Sequence, residues 1–162
     1  MGKVVKVGIA QMGVAKPPDT IRTSGLGSCV GVVLYDETKK VAGLVHIMLP
    51  DSSLSRSETP NIAKFADTGI KGLEEMLLKE GAQKCRLKAK IAGGAQMFQF
   101  SSSKEIMRIG QRNVEAVKRV LKELGIPIIA EDTGGSSGRT IEFNPATGKL
   151  MIRTVNQGVN EI

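Results

Sequence analysis

The sequence predicts an α+β domain: a mixed, largely antiparallel β-sheet with two main helices. Three features carry that expectation. Short apolar runs bounded by Gly, Pro, Asn and Asp recur along the chain, as strands do. Two segments, 60–80 and 109–124, repeat apolar residues at steps of three and four, the mark of amphipathic helices. Hairpin-length connections outnumber the long crossovers that parallel pairing requires. With 162 residues and no linker or internal repeat, the chain reads as one domain spanning residues 1–162.

Taken in order, residues 3–10 suggest an opening strand, and residues 11–22 read as loop, with Pro17-Pro18-Asp19 marking a turn. Two apolar runs follow, 29–35 and 41–49, separated by Asp36-Glu37-Thr38-Lys39-Lys40, a polar patch of hairpin length. Pro50 ends the second run. The serine-rich stretch 51–57 has little to anchor it and is a candidate lid or binding loop. In the first helix Ile62, Phe65, Ala66, Ile70, Leu73, Met76 and Leu77 form the apolar face, and Gly81 supplies the stop. Residues 85–92 alternate apolar and basic, as a strand with one solvated side does, and Gly93-Gly94 breaks it. The second helix puts Val114, Val117, Leu121 and Leu124 on one face, closed by Gly125 and Pro127. Strands at 126–131, 139–143 and 149–155 complete the sheet, the last two joined by the turn Asn144-Pro145-Ala146-Thr147-Gly148. Gly134-Gly135-Ser136-Ser137-Gly138-Arg139 looks like a phosphate cradle but lacks the Lys-Ser/Thr of a P-loop, so a plain turn is the expectation.

Composition narrows the function. Aromatic residues make up 3% of the chain and tryptophan is absent, which leaves an aliphatic core and few stacking platforms for single-stranded nucleic acid. The net charge of +7 comes from lysines and arginines spread along the chain and interleaved with glutamates. That pattern is a solvated surface; it does not by itself point to nucleic acid, since a basic surface equally steers a protein to an acidic protein partner, and the charge identifies no partner. No apolar run approaches the ~20 residues that span a bilayer, and Lys3 and Lys6 interrupt the N-terminal segment where a signal peptide would need a continuous apolar stretch. The expectation is a cytoplasmic protein with no membrane insertion. In a reducing cytosol Cys29 and Cys85 are expected to stay free, and no close-spaced Cys/His set suggests a metal.

The chemistry concentrates in residues 23–46. Thr23-Ser24-Gly25-Leu26-Gly27-Ser28-Cys29 reads as a glycine-rich turn delivering a thiol to the start of a buried strand. His46, the only histidine, stands at the end of the next run. A turn centred between Glu37 and Thr38 sets Cys29 directly opposite His46 on one face, with Cβ atoms ~5 Å apart; a slip of one residue would separate them. A thiol with a pKa of ~8.5 needs such an imidazole to take its proton. Amides of Gly27, Ser28 and Cys29 could hold an oxyanion. Thr23, Ser24 and Ser28 are all available to orient the imidazole. Against this stand two plainer readings: a strand cysteine is usually a small buried hydrophobe, and a lone histidine in an apolar run is usually a satisfied core residue. Cys85 has no such partner and reads as structural.

Five stretches in order now carry a resemblance. Gly25-Leu26-Gly27-Ser28-Cys29-Val30 and His46-Ile47-Met48-Leu49-Pro50 resemble the two signature segments of the CheD family, the chemoreceptor glutamine deamidases. Lys90-Ile91-Ala92-Gly93-Gly94-Ala95 with Met97-Phe98, Ile109-Gly110-Gln111-Arg112-Asn113, and Glu131-Asp132-Thr133-Gly134-Gly135 with Arg139 agree, so that residues 4–155 are covered. The resemblance implies hydrolysis of glutamine side-chain amides on methyl-accepting chemotaxis receptors, with Cys29 as nucleophile, His46 as base, Thr23 as third member and no cofactor or metal. It implies a fold shared with the catalytic domain of the cytotoxic necrotizing factor toxins, and a CheC-type phosphatase as a partner. Phe98 or Phe100, if exposed, would suit a protein-binding hot spot, and core packing accounts for them equally well. Two other readings are a non-catalytic regulator that binds the phosphatase or receptor, and a thiol hydrolase of receptor methyl esters.

Overall fold

The computed structural model describes residues 2–96 and 108–162. Its elements run β1 (Val4–Lys6), β2 (Met12–Ala15), β3 (Thr20–Leu26), β4 (Val30–Asp36), β5 (Val41–Ile47), α1 (Ala66–Lys79), β6 (Leu87–Gly93), α2 (Ile109–Leu124), β7 (Ile128–Thr133), β8 (Arg139–Asn144), β9 (Lys149–Thr154) and β10 (Gly158–Glu161). The strands form two five-stranded sheets, β1-β3-β8-β9-β10 and β2-β5-β4-β6-β7. Pairing is antiparallel except between β1 and β3 and between β6 and β7. The α+β class and the two main helices match the expectation, while the strands divide into two layers.

Strands β4 and β5 are buried at every position, because each face of their sheet is covered. Side chains of a strand alternate between faces. Val30, Val32 and Leu34, with Val45 and Ile47, pack against Ile70, Leu73 and Leu77 of α1 and Val117 and Leu121 of α2. Val33 and Tyr35, with Ala42 and Leu44, meet Ile21, Ile141 and Phe143 of the other sheet. The order of layers is therefore sheet, sheet, helices. Cys29, Gly31 and His46 share the parity of Val33 and Leu44, so they belong between the sheets.

One segment read as loop turns out to hold strand. The stretch 11–22 holds β2 and the start of β3, whose short, glycine-interrupted sequences lack a clear alternation. The strand expected over 3–10 is only Val4–Lys6. Residues 52–54 form a short 3-10 turn tied to α1, since Ser52 donates from its backbone N–H and its Oγ to the Asp67 carboxylate. Both cysteines are free. Phe98 and Phe100 lie outside the described residues.

The β4–β5 register differs by two residues from the expectation. Asp36 pairs with Val41 and Val30 with Ile47, which sets Gly31 opposite His46. The reason is Asp36 itself. Its side chain folds over the turn and accepts the Thr38 and Lys39 N–H groups, then the Gln83 N–H and the Arg86 guanidinium from the far side. Burial opposes its ionisation, but the hydrogen bonds from Arg86, Gln83 and Lys39 outweigh that and hold the carboxyl at about 2. A carboxyl held low contributes stability above its unfolded pKa of ~3.9, lost as the pH falls through about 2. Asp36→Ala is expected to cost about 1–3 kcal/mol at neutral pH in urea unfolding and to flatten the loss of stability between pH ~4 and 2.

Candidate active site

The site lies at one end of the inter-sheet layer, where β3, the 27–29 turn and β5 converge. Thr23 belongs to β3 in one sheet and His46 to β5 in the other, and both are buried. Across the gap Thr23 Oγ1 and His46 Nδ1 are hydrogen-bonded at 2.8 Å. The backbone fixes both ends: Thr23 pairs with Ile141, and the His46 N–H donates to the Gln11 carbonyl. A register shift between Thr23 and Leu26, together with Gly25 at φ 72°, lets β3 turn towards Cys29. The Ser24 side chain points to the opposite face from Thr23, since strand neighbours alternate, and is exposed. Thr23 is thus the hydroxyl that meets the imidazole.

Cys29 precedes the first residue of β4 and is half-buried. Continuing the ladder past Val30–Ile47 places it across from Met48, diagonal to His46 on the same face. Diagonal neighbours lie ~7–8 Å apart at Cα, which long side chains span. The shift of two residues therefore keeps the pair together, where a shift of one would have parted it. His46 Nε2 is buried without a hydrogen-bond partner among the described residues. No hydrogen bond joins the thiol to His46 Nε2, the loose arrangement common before substrate arrives. Gly31, directly opposite His46, leaves that spot clear; a Cβ there would come within 2.7 Å of Ile141 Cδ1 and 3.6 Å of Thr23 Cγ2.

Burial sets the charge states. It pushes the Cys29 thiol above its ordinary value and lowers the His46 imidazole to about 4. Both groups are neutral at rest at pH 7. The Gly27 N–H is donated to Gly25 O at 3.1 Å, which stabilises the turn. The N–H groups of Ser28 and Cys29 have no acceptor among the described residues. Sequence reasoning passed over Asn113, which is buried on α2 and donates from Nδ2 to Ser28 O and to Met48 O, each at 2.9 Å. The signal was available: Asn113 is the polar member of the inward stripe Gly110, Asn113, Val117 and Leu121. A cleft of about 300 Å³ between Gln96, Gln111 and Gly134-Gly135 lies behind the Gly94 backbone, and neither Cys29 nor His46 lines it.

Known proteins resemble this chain as a whole. A family model described as CheD chemotactic sensory transduction matches residues 48–154. A chemoreceptor glutamine deamidase CheD of Halalkalibacterium halodurans is 64% identical over 162 residues, 100% of each chain. The chemoreceptor glutamine deamidase CheD of Bacillus subtilis is 59% identical over 159 residues, covering 98% of this chain and 96% of that one. This chain belongs to the CheD family. A probable chemoreceptor glutamine deamidase CheD of Lachnoclostridium phytofermentans is 58% identical over 162 residues, 100% of both chains. The crystal structure of a Neisseria meningitidis protein of the DUF152 family aligns with a TM-score of 0.48 at 9% identity, over 82% of this chain and 64% of that one. Among the described residues of this CheD-family chain, no helix is long and apolar enough to cross a membrane.

The neutral imidazole leads to a direct measurement. The unfolded state takes up the His46 proton near pH 6.5 and the folded state only near 4, so the histidine's contribution to stability is complete above ~6.5 and is lost as the pH falls through that window. Because His46 is the only histidine, its imidazole NMR resonances are expected to stay at neutral-form shifts from pH 8 down to about 5 in the native protein.

Proposed function

We propose that this CheD-family protein hydrolyses the side-chain amide of glutamines on methyl-accepting chemotaxis receptors, acting in the cytoplasm as a protein-glutamine glutaminase, with residues 1–162 forming one deamidase domain. The names of its relatives support the reaction. The observation that carries the residue roles is the Thr23–His46 hydrogen bond, which occupies Nδ1 and leaves Nε2 unpartnered on the face that bears Cys29.

With Nδ1–H donating to Thr23 Oγ1, the Nε2 lone pair faces the thiol side and His46 is the base. Nε2 takes the Cys29 proton as Sγ attacks the carboxamide carbon, and the carbonyl oxygen becomes a tetrahedral oxyanion. The imidazolium then gives that proton to the nitrogen, ammonia departs, and a thioester remains. A water molecule gives a proton to Nε2 and attacks the thioester; the thiolate leaves and is reprotonated by His46. Amide and water have become glutamate and ammonia, and every atom is supplied by protein, substrate and solvent. A CheC-type phosphatase is proposed as a partner on the strength of family membership. The net charge of +7 suits acidic receptor surfaces, with attraction that salt screens.

Mass spectrometry of a purified receptor cytoplasmic fragment tests the reaction. The wild-type protein is expected to add ~1 Da per modified glutamine, the amide-to-acid change made by a thiol nucleophile, and Cys29→Ala to add nothing. Thr23→Val, which keeps the shape and removes the hydroxyl, is expected to lower kcat about 10²-fold. Receptor binding without any mass gain would favour a non-catalytic regulator, and methyl loss from a methylated fragment would favour an esterase.

A further inference from the structure

Three consecutive carbonyls of the nucleophile turn are each held by a separate donor. Gly27 O accepts the Ala95 N–H at 2.8 Å, Ser28 O accepts Asn113 Nδ2 at 2.9 Å, and Cys29 O accepts the Gly94 N–H at 2.8 Å. In a planar trans peptide the C=O and the following N–H point in opposite directions. Pinning the Gly27 and Ser28 carbonyls therefore aims the Ser28 and Cys29 N–H groups away from their holders. For the Ser28–Cys29 peptide the holder is a side chain of α2, which lies on the helix-covered face of the sheet. The Cys29 N–H is thereby turned towards the other face, where His46 and Thr23 lie.

We propose that Asn113 is a positioning residue, which fixes the Ser28–Cys29 peptide plane so that the Cys29 N–H serves as an oxyanion donor alongside the Ser28 N–H. The assignment rests on the deamidase reading above. A nucleophile's own amide is a recurrent donor of this kind. Two carbonyl acceptors on one nitrogen also settle which end of the Asn113 amide is the NH2. The second hydrogen bond, to Met48 O, closes the mouth of the β4–β5 ladder one step beyond its last pair, Val30–Ile47. One side chain thus sets the orientation of the nucleophile's amide and its spacing from the strand that carries the base. Asn113 Oδ1 is buried without a partner among the described residues.

Asn113→Asp keeps the shape and removes the donors, setting acceptor against acceptor. Two reactions of Cys29 separate the roles: deamidation of the receptor fragment passes through an oxyanion, whereas alkylation by iodoacetamide does not. The expected result is a kcat for deamidation reduced about 10²–10³-fold, with KM and the alkylation rate within about threefold of wild type. Alkylation slowed as much as deamidation, or kcat left unchanged, overturns the assignment. If the aspartate variant does not fold, Asn113→Ser, which keeps one donor, carries the same comparison. Wild-type protein run in parallel separates the two levels: no cysteine-dependent mass gain removes the deamidase reading and this assignment with it, whereas an active wild type beside unaffected Asn113 variants removes this assignment alone.

Discussion

A single hydrogen bond between two β-sheets, Thr23 Oγ1 to His46 Nδ1, decides what His46 can do. The imidazole is wholly buried, so protonation is opposed by desolvation and its pKa falls to about 4. Among the described residues one ring nitrogen has a partner and the other has none. Leaving a buried polar atom unpaired costs about 1–3 kcal/mol, and the surrounding layers must supply that. They do so with Ile21, Leu26, Ile141 and Phe143 on one sheet and Val33, Ala42 and Leu44 on the other, all fully or nearly fully buried. Since Thr23 and His46 lie in different sheets, their contact is only as well defined as the spacing between the layers. The core between the sheets is in that sense part of the site.

The thiol is placed by a different device, close approach of backbones. A Cβ on Gly93 would come within 2.3 Å of Cys29 O, and one on Gly110 within 2.4 Å of Ala95 O. Gly93 lets the end of β6 press against the 27–29 turn, and Gly110 lets the first turn of α2 press against Gly94 and Ala95. Only at that distance can the Gly94 and Ala95 amides and the Asn113 side chain reach its carbonyls. Arg139 braces the same corner from the other sheet, donating to Gly93 O and Gly134 O and pairing with Asp132. The turn is flexible in composition and rigid in place.

Much of this was legible in the sequence, for identifiable reasons. The two helices and β4–β5 announce themselves because each repeats its apolar pattern long enough to fix a period. Cys29 and His46 stand out by rarity and position. The register between them could not be read, because it depends on the Asp36 side chain replacing backbone partners across the turn, with Gln83 and Arg86 as distant contributors. Nor could the layering be read: β2 and β3 are glycine-broken, and their burial comes from contacts with segments far along the chain. Thr23 could not be told from Ser24 or Ser28 until β3 was recognised as a strand whose alternation points one of them inward. Asn113 was visible as a polar residue in an apolar stripe, yet its meaning needed the location of Ser28 O and Met48 O.

The charge states bear on how such a site works rather than only on whether it is stable. Raising the thiol and lowering the imidazole both disfavour the thiolate–imidazolium pair at rest, so the reactive form is scarce. Each shift has a return once the pair exists. A thiolate of higher pKa is intrinsically the stronger nucleophile, and an imidazolium of lower pKa is the stronger acid. The difficult step in hydrolysing a carboxamide is expulsion of the nitrogen, which must be protonated to leave. On the proposed mechanism His46, whose hold on a proton is weakened by burial, gives that proton to the nitrogen. Donors already aimed at the oxyanion lower the cost of reaching the stage at which this matters. On the proposed mechanism, burial keeps the ion pair rare in the absence of substrate, which suits a thiol that must spare most of the amides it meets.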